Sequence, residues 1–172
     1  MEKLIRGRAL AQDHWLKPDP ASIADQPSDA ALLIPLTEWL AHRDALVSRS
    51  GDLGVLLEPS DDPFLIAQDL QRLSLIAVRF AQFTDGRGYS SAYLLRQRLG
   101  WRGELRAVGD VLIDQLHYLA RVGFDAFALR GDQDSTRALA AFADFSETYQ
   151  ASADQPIPLF RRRGAGNSVV AR

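Results

Sequence analysis

Apolar runs of strand length alternate with helical patterns along most of the chain after residue 51. DLGVLLE, LSLIAVRF, ELRAVG and FDAFALR are four such runs, and a segment with helical periodicity follows each of them. Strands that alternate with helices in this way pair in parallel through right-handed crossovers. The sequence therefore predicts an α/β fold with four consecutive βα units in a small parallel sheet.

Two strand orders are compatible with this pattern. A half-barrel-like sheet keeps its strands in sequential order with helices on one face, whereas a small doubly wound sheet carries helices on both faces. The four units have similar lengths, which favours the sequential order. In that order the N-terminal residues must cover the other face of the sheet, or a second subunit must do so as part of a homo-oligomer.

Capping residues and glycines mark the expected helices. These helices lie in SDDPFLIAQDLQRL, SSAYLLRQRLG, VLIDQLHYLARVG and STRALAAFADFSETY. The N-terminal signals are Asp61 or Asp62 with Pro63, Ser90 or Ser91, and Asp110, while Gly100 and Gly123 stand where helices should end.

The N-terminal part of the chain lacks this alternation. LIRGRALAQDHWLKP contains two short apolar runs with a polar middle, which predicts a small hairpin or arm. PLTEWLAHRDALVSR predicts a helix with Thr37 as its N-cap. We expect residues 1–50 to form an N-terminal arm and helix, and residues 51–150 to form the core of repeated βα units.

One domain is expected over residues 1–160, because 172 residues with 47% hydrophobic content bury about one core. Residues 161–172 are predicted to form a basic flexible tail. The last twelve residues, RRRGAGNSVVAR, carry four arginines and no acidic residue. A solvated tail is one interpretation, and docking onto an acidic partner is the other.

Composition disfavours several classes of protein. No apolar run approaches the length of a bilayer span and the N-terminus lacks the apolar core of a signal peptide, which predicts a cytoplasmic protein without membrane contact. The net charge of −2 gives no indication of nucleic-acid binding. The chain has no cysteine, which excludes disulfides, thiolate metal sites and thiol nucleophiles. Redox chemistry would need a bound cofactor, whose identity stays open.

Polar residues gather where the four predicted strands end. The loops after them contain Glu58, the segment 84–91, Gly109 with Asp110, and the segment 130–134. The carboxyl ends of parallel strands share one edge of a sheet, and ligands of open α/β sheets bind outside that edge. We therefore expect a functional site at this edge.

The second loop, DGRGYSS, has the richest chemistry. Gly86 and Gly88 would permit positive φ angles, Arg87 offers a planar fork of donors, and Ser90 or Ser91 could cap the next helix. With Tyr89 these residues would suit a phosphate, a sulfate or a carboxylate. A tight turn in which Asp85 accepts local backbone hydrogen bonds is the alternative.

Two arginines stand inside predicted strands. Arg79 lies in LIAVRFAQF and Arg106 in ELRAVG, where a parallel strand covered on both faces should be apolar. Each needs a partner or a polar cavity, because an unpaired buried guanidinium is costly. One interpretation is that Arg79, Arg106 and Arg130 line a pocket for an anion. The other is a network of internal salt bridges with Glu58, Asp85, Asp110 or Asp114.

The sequence gives weaker indications of a metal site or of catalytic residues. His117 follows Asp114 by three residues, but the chain offers too few further ligands nearby to predict a metal site. If the protein is an enzyme, Asp85 and Asp110 are the candidate catalytic acids or bases.

The stretch FTDGRGYSSAYLLRQRLGWRGELRAVGDVLIDQLHYLARVGFDAFALR, with the LIRGRALAQDHW start, resembles a family of uncharacterised bacterial proteins. Members are found alongside assimilatory sulfite reductase and are usually labelled as oxidoreductases of sulfite reduction. The likeness covers residues 1–150. The residues that match the family's signature are Asp85, Gly86, Arg87, Gly88, Tyr89, Ser90, Arg96, Arg106, Gly109, Asp110, Asp114 and Gln115.

The resemblance implies a place in sulfur assimilation and implies sulfite reductase as a partner. Our first hypothesis is an accessory protein that binds an anionic small molecule at the carboxyl edge of the sheet. The second is an enzyme that uses an arginine and aspartate pocket with a bound cofactor. The third is an assembly factor for sulfite reductase with no ligand of its own. The sequence contains no dinucleotide-binding fingerprint to support the oxidoreductase label.

Overall fold

The computed structural model describes residues 3–144 and 147–166, and it contains one mixed sheet of seven strands. The sheet order is β2-β1-β7-β6-β5-β4-β3. Strands β3 to β7 are parallel and sequential, while β1 runs antiparallel to both β7 and β2. The strands are β1 Lys3–Arg6, β2 Ala9–Ala11, β3 Leu32–Pro35, β4 Leu53–Leu57, β5 Leu75–Phe80, β6 Glu104–Gly109 and β7 Ala126–Leu129.

The predicted α/β class and N-terminal hairpin are confirmed, and the sheet is larger than predicted. The four predicted strands correspond to β4, β5, β6 and β7, and they follow one another in the sequential order. The hairpin of β1 and β2 extends the sheet at one edge, and β3 extends it at the other. The sequence pattern missed β3 because Leu32–Pro35 passes directly into a helix without a loop between them.

Five α-helices and several short 3₁₀ segments complete the described residues. The 3₁₀ segments near the sheet are Pro63–Ile66, Leu70–Arg72 and Ile113–Gln115. The helices are α1 Leu36–Leu46, α2 Arg87–Tyr93, which continues as a π-helix over Leu94–Arg98, α3 Leu116–Val122, α4 Ser135–Ala141 and α5 Leu159–Gly166.

The helix predicted after β4 is wrong, so the chain does not contain four consecutive βα units. Residues Pro63–Ile66 and Leu70–Arg72 form separate 3₁₀ turns. Asp69 between them is buried and accepts a hydrogen bond from Trp39 Nε1 at 2.9 Å. This tertiary contact fixes the chain in a path that local periodicity does not indicate. Asp62 does cap the first turn, as expected, by accepting from the Phe64 N–H at 2.9 Å.

Several predicted helix starts are displaced. Ser90 and Ser91 lie inside α2, and Thr37 lies inside α1, so none of them is an N-cap. Asp110 does not cap α3 either, since that helix begins only at Leu116. The predicted stops are correct: Gly100 follows the π-helix with φ +69°, and Gly123 caps α3 with φ +115°.

Different elements pack on the two faces of the sheet. Helices α1 to α4 contribute residues such as Trp39, Leu95, Leu116 and Ala138 to the larger core on one face, which we call the helix face. The opposite face, which we call the arm face, carries a smaller core of Leu4, Trp15, Leu33, Leu56, Leu75, Ala77, Val108, Ala126 and Ala128. Trp15 from the N-terminal arm packs there, so the arm covers part of this face, as the sequential order requires.

The predicted C-terminal tail, residues 161–172, follows the last strand of the sheet in the chain. Residues 161–166 of the predicted flexible tail belong to α5, and residues 167–172 lie outside the described part. None of the helices in the described residues is both long enough and apolar enough to cross a bilayer.

Candidate functional site

The loops after β4, β5, β6 and β7 meet at one edge of the sheet, which we call the carboxyl rim: residues 58–62, 81–86, 110–115 and 130–134. Asp110 joins three of these loops. Its Oδ2 accepts the Phe83 N–H at 2.8 Å, and its Oδ1 accepts from Arg130 Nη1 at 2.6 Å. The site therefore contains a shared carboxylate that fixes the positions of its neighbours.

Gln115 and Gln133 reinforce the same connection. Gln115 is buried; its Oε1 accepts the Leu112 N–H at 2.9 Å, and its Nε2 donates to the Phe83 carbonyl at 3.3 Å. The Gln133 Oε1 accepts the Ile113 N–H at 3.2 Å. Backbone groups of the loops after β5 and β6 thus have side-chain partners, which orders the rim.

Arg130 is the most heavily paired cation of the rim. Its Nε and Nη2 donate to the two carboxylate oxygens of Asp132, each at 2.8 Å, while Nη1 donates to Asp110. These bonds, those to Asp132 first, raise the pKa of Arg130, and the Arg130 guanidinium lowers the pKa of Asp132. The Arg130 side chain is nevertheless 45% exposed.

Arg87 forms a similar exposed pair. Its Nε donates to Asp85 Oδ1 at 2.9 Å, and its Nη2 donates to Asp85 Oδ2 at 2.7 Å. The Arg87 N–H also donates to Asp85 Oδ1, at 3.1 Å, so a turn in which Asp85 accepts a local backbone hydrogen bond is present. These hydrogen bonds lower the pKa of Asp85. The Arg87 side chain is 61% exposed.

The glycines of the DGRG segment do not adopt the expected conformation. Neither Gly86 nor Gly88 has a positive φ. A Cβ atom on Gly88 would lie 2.6 Å from the Phe80 ring, so Gly88 permits α2 to pack closely on β5. A Cβ on Gly86 would have its nearest neighbour, Tyr89 Cδ2, at 4.0 Å. Of these two glycines, Gly86 is the one with open space beside it.

Tyr89 and Ser90 have different surroundings. The Tyr89 ring is half-buried, with ring centroids 5.3 Å from Phe80 and 5.1 Å from Tyr118, and burial is the main cause that raises its pKa. Ser90 is exposed on α2. Tyr89 therefore supports the helix layer, whereas Ser90 faces solvent.

Arg106 does not line the solvent-reachable pocket that one interpretation placed around it and Arg79, because its side chain has no exposed surface. Arg106 is fully buried on the arm face: its Nε donates to Glu104 Oε1 at 2.8 Å and its Nη1 to Asp13 Oδ1 at 2.9 Å. Its Nη2 lies 2.7 Å from the same Glu104 oxygen, outside hydrogen-bonding geometry. Arg106 is thus sealed from the rim by its own carboxylates.

Arg79 has the alternating position of Ala77 in β5, which places it on the arm face, and its Nε lies 2.8 Å from Glu58 Oε1. This pair agrees with the salt-bridge interpretation. The assumed register between Arg106 and Asp110 fails at Gly109, where φ is +93° and the strand ends.

Arg96 is a structural residue that was not among the predicted site residues. Its guanidinium is 10% exposed and donates to the carbonyls of Gly123, Trp101 and Gly103 at 2.8 to 2.9 Å, and to Asp125 Oδ2 at 2.8 Å. The signal for this role was the family signature, in which Arg96 matches. One partner of Arg106, Glu104, also had a local signal, since it precedes Arg106 by two residues on the same strand face.

Comparison with known proteins gives a family and no function. The sequence matches the family model described as "Bacterial protein of unknown function (DUF934)" over residues 54–160, more than half of the chain. The match begins in β4 and ends in α5, so it includes all four rim loops. No curated protein matches the sequence.

Proposed function

The chain belongs to the DUF934 family of bacterial proteins, and we propose that it is an accessory protein of assimilatory sulfite reduction that binds an oxyanion at the carboxyl rim. The observation that carries this proposal is the pairing of Arg87 and Arg130. Each presents the same planar edge of its guanidinium to a carboxylate only two residues away, and each stays exposed.

Asp85 and Asp132 accept hydrogen bonds from the arginines in the arrangement that the oxygens of sulfite or sulfate would adopt. A guanidinium binds carboxylates and tetrahedral oxyanions through the same two parallel N–H donors. Solvent screens exposed ion pairs, so they contribute little to stability, and an incoming oxyanion can replace Asp85 or Asp132 at small cost. The two pairs therefore act as occupied but exchangeable sites.

The ordered backbone of the rim also favours ligand binding. Asp110 and Gln115 already fix the backbone of the loop after β5 through Phe83. A ligand that binds here does not need to order the loop, which lowers the entropic cost of binding.

Charge limits the affinity that we expect. The rim contains Arg130, and Arg79 and Arg87 lie beside it. The carboxylates that pair with these three cations are more numerous: Glu58, Asp85, Asp110 and Asp132. A free oxyanion must compete with them, so we expect a dissociation constant of roughly 1 mM, or about −4 kcal/mol.

The link to sulfite reduction is supported by the family resemblance of the DGRGYS and RAVGDVLIDQL segments, and sulfite and sulfate are ligands of the class that the arginines would bind. An enzymatic role has less support. Both oxygens of Asp85 and both oxygens of Asp110 already accept hydrogen bonds, so neither carboxyl is placed as a free acid or base.

A specific observation favours a second candidate, the assembly role. Phe64, Leu65 and Phe83 follow the ends of β4 and β5, and each is about half exposed. Exposed apolar side chains beside charged residues are typical of protein contact sites. Sulfite reductase is the partner that the resemblance implies for such a contact.

A thermal-shift experiment tests the proposal. Sulfite, sulfate, adenylylated sulfate compounds, nicotinamide nucleotides and flavins are added to the purified protein and to the variant R87A/R130A, with Arg72→Ala as the control for loss of an exposed arginine. We expect sulfite or sulfate to raise the melting temperature of the wild type and of Arg72→Ala but not of R87A/R130A. Equal shifts in all three proteins, or no shift in any, would refute oxyanion binding at the rim.

If no ligand shifts the protein, co-purification tests the assembly role. Sulfite reductase should then be retained by the wild type and lost with Phe83→Ser. Retention by both proteins would exclude the rim as the contact surface.

A further inference from the structure

A polar cavity lies away from the rim, between α3, the hairpin turn and the C-terminal segment. It has a volume of about 410 Å³, which is in the range of pockets that hold small molecules. Its walls include Arg8, Arg121, Arg162, Thr148, Gln155 and Phe142. The turn that carries Arg8 lies at the amino end of β7, where Gly7 N–H donates to the Asp125 carbonyl at 2.8 Å, so this cavity is at the opposite edge of the sheet from the rim.

Two guanidinium groups in its walls are incompletely paired. The Nε atoms of Arg121 and Arg162 are buried and have no hydrogen-bond partner among the described residues. Arg121 is 13% exposed, and its Nε is 3.7 Å from Asp154 Oδ1, too far for a hydrogen bond. Arg162 uses its other nitrogens, with Nη1 2.8 Å from Glu147 Oε2 and Nη2 donating to the Thr148 carbonyl at 3.2 Å. Arg121 thus has no carboxylate within hydrogen-bonding distance among the described residues, so its positive charge is available to an anion in the cavity.

Arg8 adds a third cation. It is exposed in the turn between β1 and β2 and forms no ion pair with any residue of the described ranges. Gly7, with φ +64°, and its hydrogen bond to Asp125 fix the turn that presents Arg8. Three arginines therefore face two carboxylates, those of Glu147 and Asp154, around the same cavity.

We propose that this cavity binds an anionic metabolite that carries a phosphate or sulfate ester. The incompletely paired arginines would hold the ester group through charge-assisted hydrogen bonds. Phe142 and Ala120 give the cavity an apolar wall, and its volume leaves space for an organic group beside the ester. The site is separate from the rim and does not depend on oxyanion binding there.

Isothermal titration calorimetry at low salt tests the proposal with three probes: inorganic phosphate, inorganic sulfate and adenosine 5′-monophosphate. The cavity variants are Arg8→Ala and R8A/R162A, the rim variant is R87A/R130A, and Arg72→Ala is the control. Arg8→Ala removes an exposed side chain from a turn, so its melting temperature without ligand should equal that of the wild type.

We expect adenosine monophosphate to bind more tightly than either inorganic ion, and its dissociation constant to rise about tenfold or more in R8A/R162A, as loss of charge-assisted hydrogen bonds predicts. Arg8→Ala should show a smaller rise, and R87A/R130A and Arg72→Ala should bind as the wild type does. Equal affinity of the cavity variants and the wild type would overturn the proposal, as would failure of adenosine monophosphate to bind. Loss of binding in R87A/R130A alone would assign the ester to the rim instead.

Discussion

The Asp110 carboxylate accepts the Phe83 backbone N–H at 2.8 Å, and this bond joins the loop after β6 to the loop after β5. The other oxygen of Asp110 holds Arg130. An uncharged side chain cannot accept from both groups in the same way.

Asp110→Asn should lower the free energy of unfolding by about 1–2 kcal/mol, because an amide nitrogen cannot accept the Phe83 N–H or the Arg130 guanidinium. Urea denaturation measures the change. Asp114→Asn, an exposed position in the same loop, is the control and should differ little from the wild type. Equal stability of the two variants would mean that Asp110 does not order the rim.

The two glycines of the DGRG segment should respond differently to alanine. Gly88→Ala should destabilise the protein by about 1–3 kcal/mol, because the new methyl group would lie 2.6 Å from the Phe80 ring. Gly86→Ala has open space and should unfold at nearly the wild-type urea concentration. A stable Gly88→Ala protein would contradict close packing of α2 on β5.

A side chain at Gly123 should destabilise the protein. Its φ of +115° and the position of Arg96, whose Cγ would be 2.6 Å from an added Cβ, both oppose Gly123→Ala. We expect a loss of about 1–3 kcal/mol in the free energy of unfolding. Gly131→Ala is the matched control, since an added Cβ there meets no atom within 4 Å. If both variants are equally stable, the Arg96 contact is not a constraint.

Arg106 and Asp13 should make part of the stability depend on pH. Burial acts to raise the pKa of Asp13, but the hydrogen bond and charge of Arg106 outweigh it, and the pKa lies below its ordinary value. A lowered folded-state pKa stabilises the protein above the unfolded value of about 3.9, and this contribution is lost as the pH falls through the folded value.

The difference in melting temperature between the wild type and Asp13→Asn should therefore be largest above about pH 5 and should shrink toward about pH 3. Asp25→Asn, at an exposed position, is the control and should show a small difference at every pH. A constant difference between Asp13→Asn and the wild type over this interval would contradict the assigned ion pair.

The local sequence predicted β4 to β7 correctly. Each of these strands buries apolar side chains at consecutive positions, as Val55, Ile76 and Phe127 illustrate. It also placed Asp110 and Arg130 at one edge. It failed where distant contacts decide the conformation. Asp69, held by Trp39, lies between two short turns where periodicity predicts one helix.

The partners of the arginines show the same limit. Even spacing suggested that Arg106 and Asp110 share a strand face, but the positive φ of Gly109 ends the alternation between them. One true partner, Asp13, is 93 positions away in the sequence. No local pattern indicates such a pair. Arg87 and Asp85, by contrast, are only two residues apart in one turn, so their proximity follows from the sequence.

Chemical-shift mapping with sulfite tests oxyanion binding at the rim most directly. Two-dimensional ¹H–¹⁵N spectra of the labelled protein are recorded as sulfite is added. We predict saturable shifts for the backbone amides of Phe83 to Arg87, Asp110 and Arg130, which disappear in R87A/R130A. Unchanged rim amides at saturating sulfite, or shifts that persist in the double variant, would contradict the proposed site.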